Sequence, residues 1–177
     1  GAIRPSKGVD ILLEACQLLL ERGMNFHLEL MGRAPEPEYA QTLRDRLAQA
    51  PWPTRAVWSG ELHDGEKWRA YARADIFCFP TYYEAEGLSL VVLEAMMFGL
   101  PVVTTRWRGL PDAVTDGETG YLLPPQNASA VADALERLIC EPGVRHALGQ
   151  NGRTVYETRF SLTRWRDRVE DALASVS

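Results

Sequence analysis

Glu86 and Glu94 stand eight positions apart, separated by Gly87, Leu88, Ser89, Leu90 and an aliphatic run. A carboxylate beside such a run loses hydration and needs partners. Two carboxylates at one crevice suit a polyhydroxy ligand, because each accepts more than one hydroxyl hydrogen bond. Gly87 permits close backbone approach, and a helix starting near Ser89 offers free amides that suit a phosphate or sugar oxygen. The same pair also has an ordinary reading, with Glu86 as a helix-start acid favoured by the dipole and Glu94 as a surface residue. Lys7 lies in the loop "RPSKG" ahead of a helix, with Arg4 three residues earlier. These cations either meet a diphosphate or lie on the surface. "RWRGLP", Arg106 to Pro111, follows a strand end. It either lines the same crevice or, through Trp107, packs against protein outside this chain.

The elements that must position these residues alternate. Helices are expected over Val9–Arg22, Glu38–Ala50, Glu66–Arg73, Ser89–Phe98, a segment capped by Asn127 or Ser129 and running to Cys140, Val144–Thr158 with a weak point at Gly149 to Gly152, and Ser161–Val176. Strands are expected over Phe26–Gly32, Ala56–Gly60, Asp75–Pro80, "PVVTT" and Gly120–Pro124. "DIFCFP" is a continuous apolar run of the kind buried on both faces. Strands alternating with helices predict a parallel sheet covered on both sides, with ligands bound beyond the carboxyl ends of the strands. The loops after Gly32, Gly60, Pro80 and Thr105 are therefore the ones that matter, together with "RPSKG".

Composition narrows the function classes. The 177 residues suffice for one domain, and 46% are hydrophobic, enough for a sizeable core. The net charge of −5 and the scattered basic residues do not form the footprint of a nucleic-acid binder. The arginines at 159, 164, 166 and 168 read as a solvated helix face. Cys16, Cys78 and Cys140 all fall in apolar segments, which argues against a disulfide framework and for a reducing compartment. No metal-ligand spacing joins them to the three histidines, and no apolar run reaches the length of a membrane span. The opening "GAIRPSKG" reads as a loop where an α/β unit normally begins with a strand, so the chain is expected to be a piece of a longer protein.

At this point seven stretches, in order, match one family: "PSKGVDILLEA", "HLELMG", "AVWSGEL", "YARADIFCFPTYYEAEG", "LEAMMFGLPVVTT", "RGLPDAVTDGETGYLLPP" and "ETRFSLTRW". Over nearly its whole length the chain resembles the carboxyl-terminal, nucleotide-sugar-binding domain of group 1, family 4-like retaining glycosyltransferases with the GT-B fold. The resemblance implies a Rossmann-like three-layer αβα domain with a parallel sheet, one half of a GT-B enzyme, with residues 1–177 forming the donor domain. Glu86 matches the family glutamate that contacts the donor sugar, and Glu94 the one that holds the ribose hydroxyls. Backbone from Gly87 to Leu90 would face sugar and phosphate oxygens. Lys7 matches the lysine on the diphosphate, which makes Glu86 and Lys7 the expected catalytic pair. Glu84 is a rival for the first glutamate, but its spacing to Glu94 is wrong. The run Gly87, Leu88, Ser89 is less glycine-rich than the family's. The usual phosphate-binding arginine is replaced in register by Ala2, with Arg4 nearby.

The implied reaction is retaining transfer from a UDP- or GDP-linked sugar to a sugar, lipid or small-molecule acceptor, with neither cofactor nor metal. The acceptor would be bound mainly by an amino-terminal domain absent from this chain, leaving the isolated domain inactive. The expected location is cytoplasmic, peripheral at the inner face of a membrane for the full-length protein. Alternative readings are a non-catalytic sugar-nucleotide-binding module and a GT-B-like sugar-nucleotide epimerase.

Overall fold

Val102 and Val103 are neighbours on one strand, and both are fully buried, yet they belong to separate hydrophobic cores. Successive side chains on a strand point to opposite faces. A strand whose two faces enter different cores must be the middle layer of three. The computed structural model, which describes residues 1–174, has that architecture.

The chain runs α1 (Val9–Glu21), β1 (Leu28–Met31), α2 (Pro37–Ala48), β2 (Ala56–Gly60), α3 (Asp64–Arg73), β3 (Phe77–Phe79), α4 (Leu90–Met97), β4 (Val102–Thr105), β5 (Gly120–Leu123), α5 (Ala128–Cys140), α6 (Pro142–Val155) and α7 (Leu162–Ala174). Short 3-10 turns sit at Pro5–Lys7, Trp52–Thr54 and Leu110–Asp112, and a π-helical turn, Tyr156–Phe160, joins α6 to α7. One core packs α1 against α5 through Leu13, Leu19, Val131 and Leu138. The other gathers Val92 and Met96 of α4 with Leu110 and Val114. The expected alternation, α/β class and parallel pairing all hold. Asn127 caps α5 as its position suggests, its side chain accepting from the Ala130 amide at 2.9 Å.

Three expectations change. The strands form two parallel sheets, β1–β2 and β3–β4–β5, rather than one. "DIFCFP" is consequently only half-buried along β3, because one of its edges has no strand beside it. Of the cysteines, Cys16 is buried but Cys140, at the end of α5, is exposed. Burial pushes the Cys16 thiol up to about 12, so it is inert at neutral pH. The glycines of α6 do not break it. Gly149 lets the helix meet the Gly99 carbonyl, which a Cβ there would approach to 2.0 Å. The end of the helix expected to reach Val176 lies outside the described residues.

Candidate functional site

Lys7 ends the first 3-10 turn, and Gly8 follows it with a left-handed φ of 79°. That conformation turns the chain at once into α1 and seats it against Pro80, the residue after β3. The Tyr82 amide donates to the Ser6 carbonyl at 2.8 Å and pins the two loops together. Lys7 Nζ thereby reaches Glu86 Oε2 at 2.8 Å, although 79 residues separate them. The side chains are 17% and 8% exposed, so the pair is well shielded. Thr81 Oγ1 donates to the same Oε2 at 2.9 Å. Among the described residues no donor reaches Oε1 of Glu86. The Lys7 ammonium also lies 4.1 Å from the Tyr83 ring centroid, close enough for cation–π attraction.

Glu94 faces inward from α4. Its Oε1 accepts from Lys67 Nζ at 2.8 Å and its Oε2 from the Tyr71 hydroxyl at 3.0 Å. Lys67 and Tyr71 are four apart on α3 and so share one helix face. Burial, reinforced by the Glu94 carboxylate, raises the Tyr71 pKa well above its ordinary value. The phenol therefore stays protonated and keeps donating to Glu94 at all ordinary pH. A carboxylate offers about four lone-pair sites, so Glu94 still has room for two further donors.

Glu86 and Glu94 line the same cleft, of about 1050 Å³. Lys7, Leu88, Ser89 and Leu90 line it too, as do Gly32, Glu61 and Lys67 from neighbouring loops and α3. Gly32, Glu61 and Pro80, which follow β1, β2 and β3 at their carboxyl ends, line it, as do all the residues of β1 and β3. Leu90 is the first residue of α4, where helix geometry leaves amides without intrahelical partners.

Other expected residues lie elsewhere. The Arg4 guanidinium pairs with Glu36 at 3.0 Å on the surface, and Arg4 does not line the cleft. Glu84 is exposed and does not line the cleft, whereas Glu86 does. Gly87 does not line the cleft; Gly109 packs against its backbone, where a Cβ on Gly109 would come within 2.8 Å of the Gly87 carbonyl carbon. The loop after Thr105 also supports the site without lining it. Trp107 Nε1 donates to the Tyr83 carbonyl at 2.8 Å, and Arg106 pairs with Asp116. Thr81, Lys67 and Tyr71 were missed by sequence reasoning. Thr81 directly follows the end of β3 and its proline, and the four-residue spacing of Lys67 and Tyr71 was the available signal.

Residues 1–155 match the sequence profile of the family described as "Glycosyl transferases group 1". The chain belongs to this family. Among curated relatives it is 30% identical to the capsular polysaccharide biosynthesis glycosyltransferase CapM of Staphylococcus aureus, over 91% of this chain and 41% of that protein. The chain thus spans about two-fifths of the length of this relative. Among solved structures, the carboxyl-terminal domain of the group 1 glycosyltransferase LpcC from Francisella tularensis superposes with a TM-score of 0.79. The two are 27% identical, and the match covers 92% of this chain and 84% of LpcC's domain. HepE of Anabaena, solved with UDP and glucose, shares the fold at a TM-score of 0.86 and 21% identity, over 99% of this chain and 46% of HepE. No described helix is long and apolar enough to cross a membrane.

Proposed function

We propose that this glycosyltransferase domain binds a nucleotide diphosphate sugar and serves retaining transfer of the sugar to an acceptor held mainly by a second, amino-terminal domain. The observation that carries the reading is that Glu86 and Glu94 line one cleft, each anchored by a lysine and each with acceptor capacity left over. Glu86 Oε1 would accept a donor-sugar hydroxyl. The remaining lone pairs of Glu94 would accept the ribose hydroxyls. Lys7 spends one of its three donors on Glu86, leaving two for the diphosphate. The amides at the start of α4 would face phosphate or sugar oxygens.

In the reaction the bond from the anomeric carbon to the diphosphate oxygen breaks, a bond from an acceptor hydroxyl oxygen forms on the same face, and the hydroxyl proton passes to the departing diphosphate. Charge grows on the departing diphosphate, and Lys7 with the α4 amides would stabilise it more in the transition state than in the ground state. Arg4 joins only by leaving Glu36. No metal is assigned a role. The domain alone is proposed to bind donor weakly and to turn over little.

Calorimetry with UDP, UDP-glucose and GDP-mannose tests this. Glu94→Ala is expected to weaken binding of the nucleotide and the sugar nucleotide alike by on the order of 1–3 kcal/mol, the scale of a lost hydrogen bond to a charged group. Glu86→Ala should weaken the sugar nucleotide more than the bare nucleotide. Unchanged affinity in Glu94→Ala would remove that residue from the site, and equal losses for both ligands in Glu86→Ala would remove the sugar from Glu86.

A further inference from the structure

Arg108 occupies a backbone position that ordinarily falls to a smaller residue. The Leu110 amide donates to the Trp107 carbonyl at 3.1 Å and closes a tight turn with Arg108 and Gly109 at its centre. Arg108 has a φ of 49°, in the left-handed region that turns usually fill with glycine or asparagine. Just ahead of the turn, the Arg106 amide donates to the Leu123 carbonyl at 2.7 Å and ties the loop to β5. A long charged side chain is thus presented on a fixed backbone at a conformational cost.

That side chain is prepared for an anion. Its guanidinium lies over the Trp107 ring, 5.4 Å from the centroid. The indole is held in turn by its hydrogen bond to the Tyr83 carbonyl at 2.8 Å. Neighbouring Arg106 spends its charge on Asp116 at 3.1 Å, whereas among the described residues no carboxylate pairs with Arg108. A guanidinium carries five N–H donors in a planar fork, and that fork matches a phosphate bidentately. Arg108 also stands close to the site without entering it. Gly109, the next residue, abuts the backbone of Gly87 and Leu88, which directly follow Glu86. Arg108 itself does not line the cleft, whereas Lys7 does. A cation outside the donor cleft, beside the loop that carries Glu86, is placed for a charge that does not arrive with the donor.

We propose that Arg108, backed by Trp107, binds a phosphate group of the acceptor, so that this domain takes part in selecting an acceptor whose reacting hydroxyl lies near a phosphate. That phosphate belongs either to a soluble polyol or sugar phosphate or to a phospholipid headgroup. The assignment to the acceptor rests on the donor reading of the cleft; the phosphate site at Arg108 does not.

The test follows the Trp107 indole N–H by NMR in the 177-residue chain, its signal assigned with Trp107→Phe. The probes are glycerol 3-phosphate, glycerol, and phosphatidylcholine vesicles with and without phosphatidic acid, the vesicles read by co-sedimentation. Titrations run with and without UDP. Failure of UDP to bind counts against the donor reading alone, while the response to phosphate is read either way. Glycerol 3-phosphate should shift the indole signal saturably, and glycerol should not. Arg108→Asn, whose side chain suits the left-handed backbone, should weaken the phosphate ester by roughly fivefold or more. Arg108→Gly, free of the same strain, serves as the second variant if Arg108→Asn does not fold. Co-sedimentation with the phosphatidic acid vesicles alone, lost with Arg108, assigns the phosphate to a lipid; a response to glycerol 3-phosphate without it assigns a soluble acceptor. No response to either phosphate source, an equal response to glycerol, or a response that survives the loss of Arg108 would each overturn the proposal.

Discussion

Replacing Lys7 by methionine is expected to lower the unfolding free energy by on the order of 3 kcal/mol, measured by urea denaturation. The cause is less the loss of an attraction than what remains. Glu86, with its side chain only 8% exposed, is left with Thr81 as its one donor among the described residues. A shielded carboxylate without its cation bears a desolvation penalty that one hydroxyl does not offset. The double variant Lys7→Met with Glu86→Leu should recover much of the loss, because a neutral pair of similar bulk carries no such penalty. Additive losses in the double variant would show that the two side chains stabilise the domain independently. The pair would then be held for its ligand chemistry: two charges kept close together, each with hydrogen-bonding capacity to spare.

Gly8→Ala is the second large effect. A non-glycine residue at φ 79° is strained, and its Cβ would lie 2.1 Å from the Pro80 carbonyl oxygen. Neither backbone can yield cheaply, since Pro80 ends the β3 segment and Gly8 opens α1. The expected cost is on the order of 3 kcal/mol, which for a domain of this size lowers Tm by roughly 6–12 °C. Thermal unfolding followed by circular dichroism checks it. A Tm within a degree or so of the parent would mean that the turn from Lys7 into α1 can be made another way. Donor affinity should fall with stability in this variant, because the same turn aims Lys7 at Glu86.

The parts of the molecule legible from sequence were those governed by local rules. Hydrophobic periodicity located the helices, and the acid pair flanking the start of α4 pointed to the cleft. What escaped were pairings between distant segments. Arg4 looked available for a phosphate because its partner Glu36 lies 32 residues away and reaches it only through the fold. The partners of Glu94 come from α3, 27 and 23 residues earlier, and nothing in the local pattern near Glu94 announces them. The apolar run at β3 signalled a strand, but the strand is half-buried and lies at the edge of its sheet. The open edge beside it was invisible, because a strand's sequence records its faces and not its neighbours.

Lys67 links two things that a ligand would disturb together. Its ammonium sits 4.0 Å from the Trp68 ring centroid while it holds Glu94. Trp68 is itself stacked on Phe98 with centroids 5.9 Å apart. A cation held so close to an indole shifts its emission, so any occupant that draws Lys67 toward a phosphate or ribose oxygen changes the light that Trp68 gives off. The domain thus carries a built-in optical gauge of cleft occupancy, readable without a label, with Trp68→Phe as the blank.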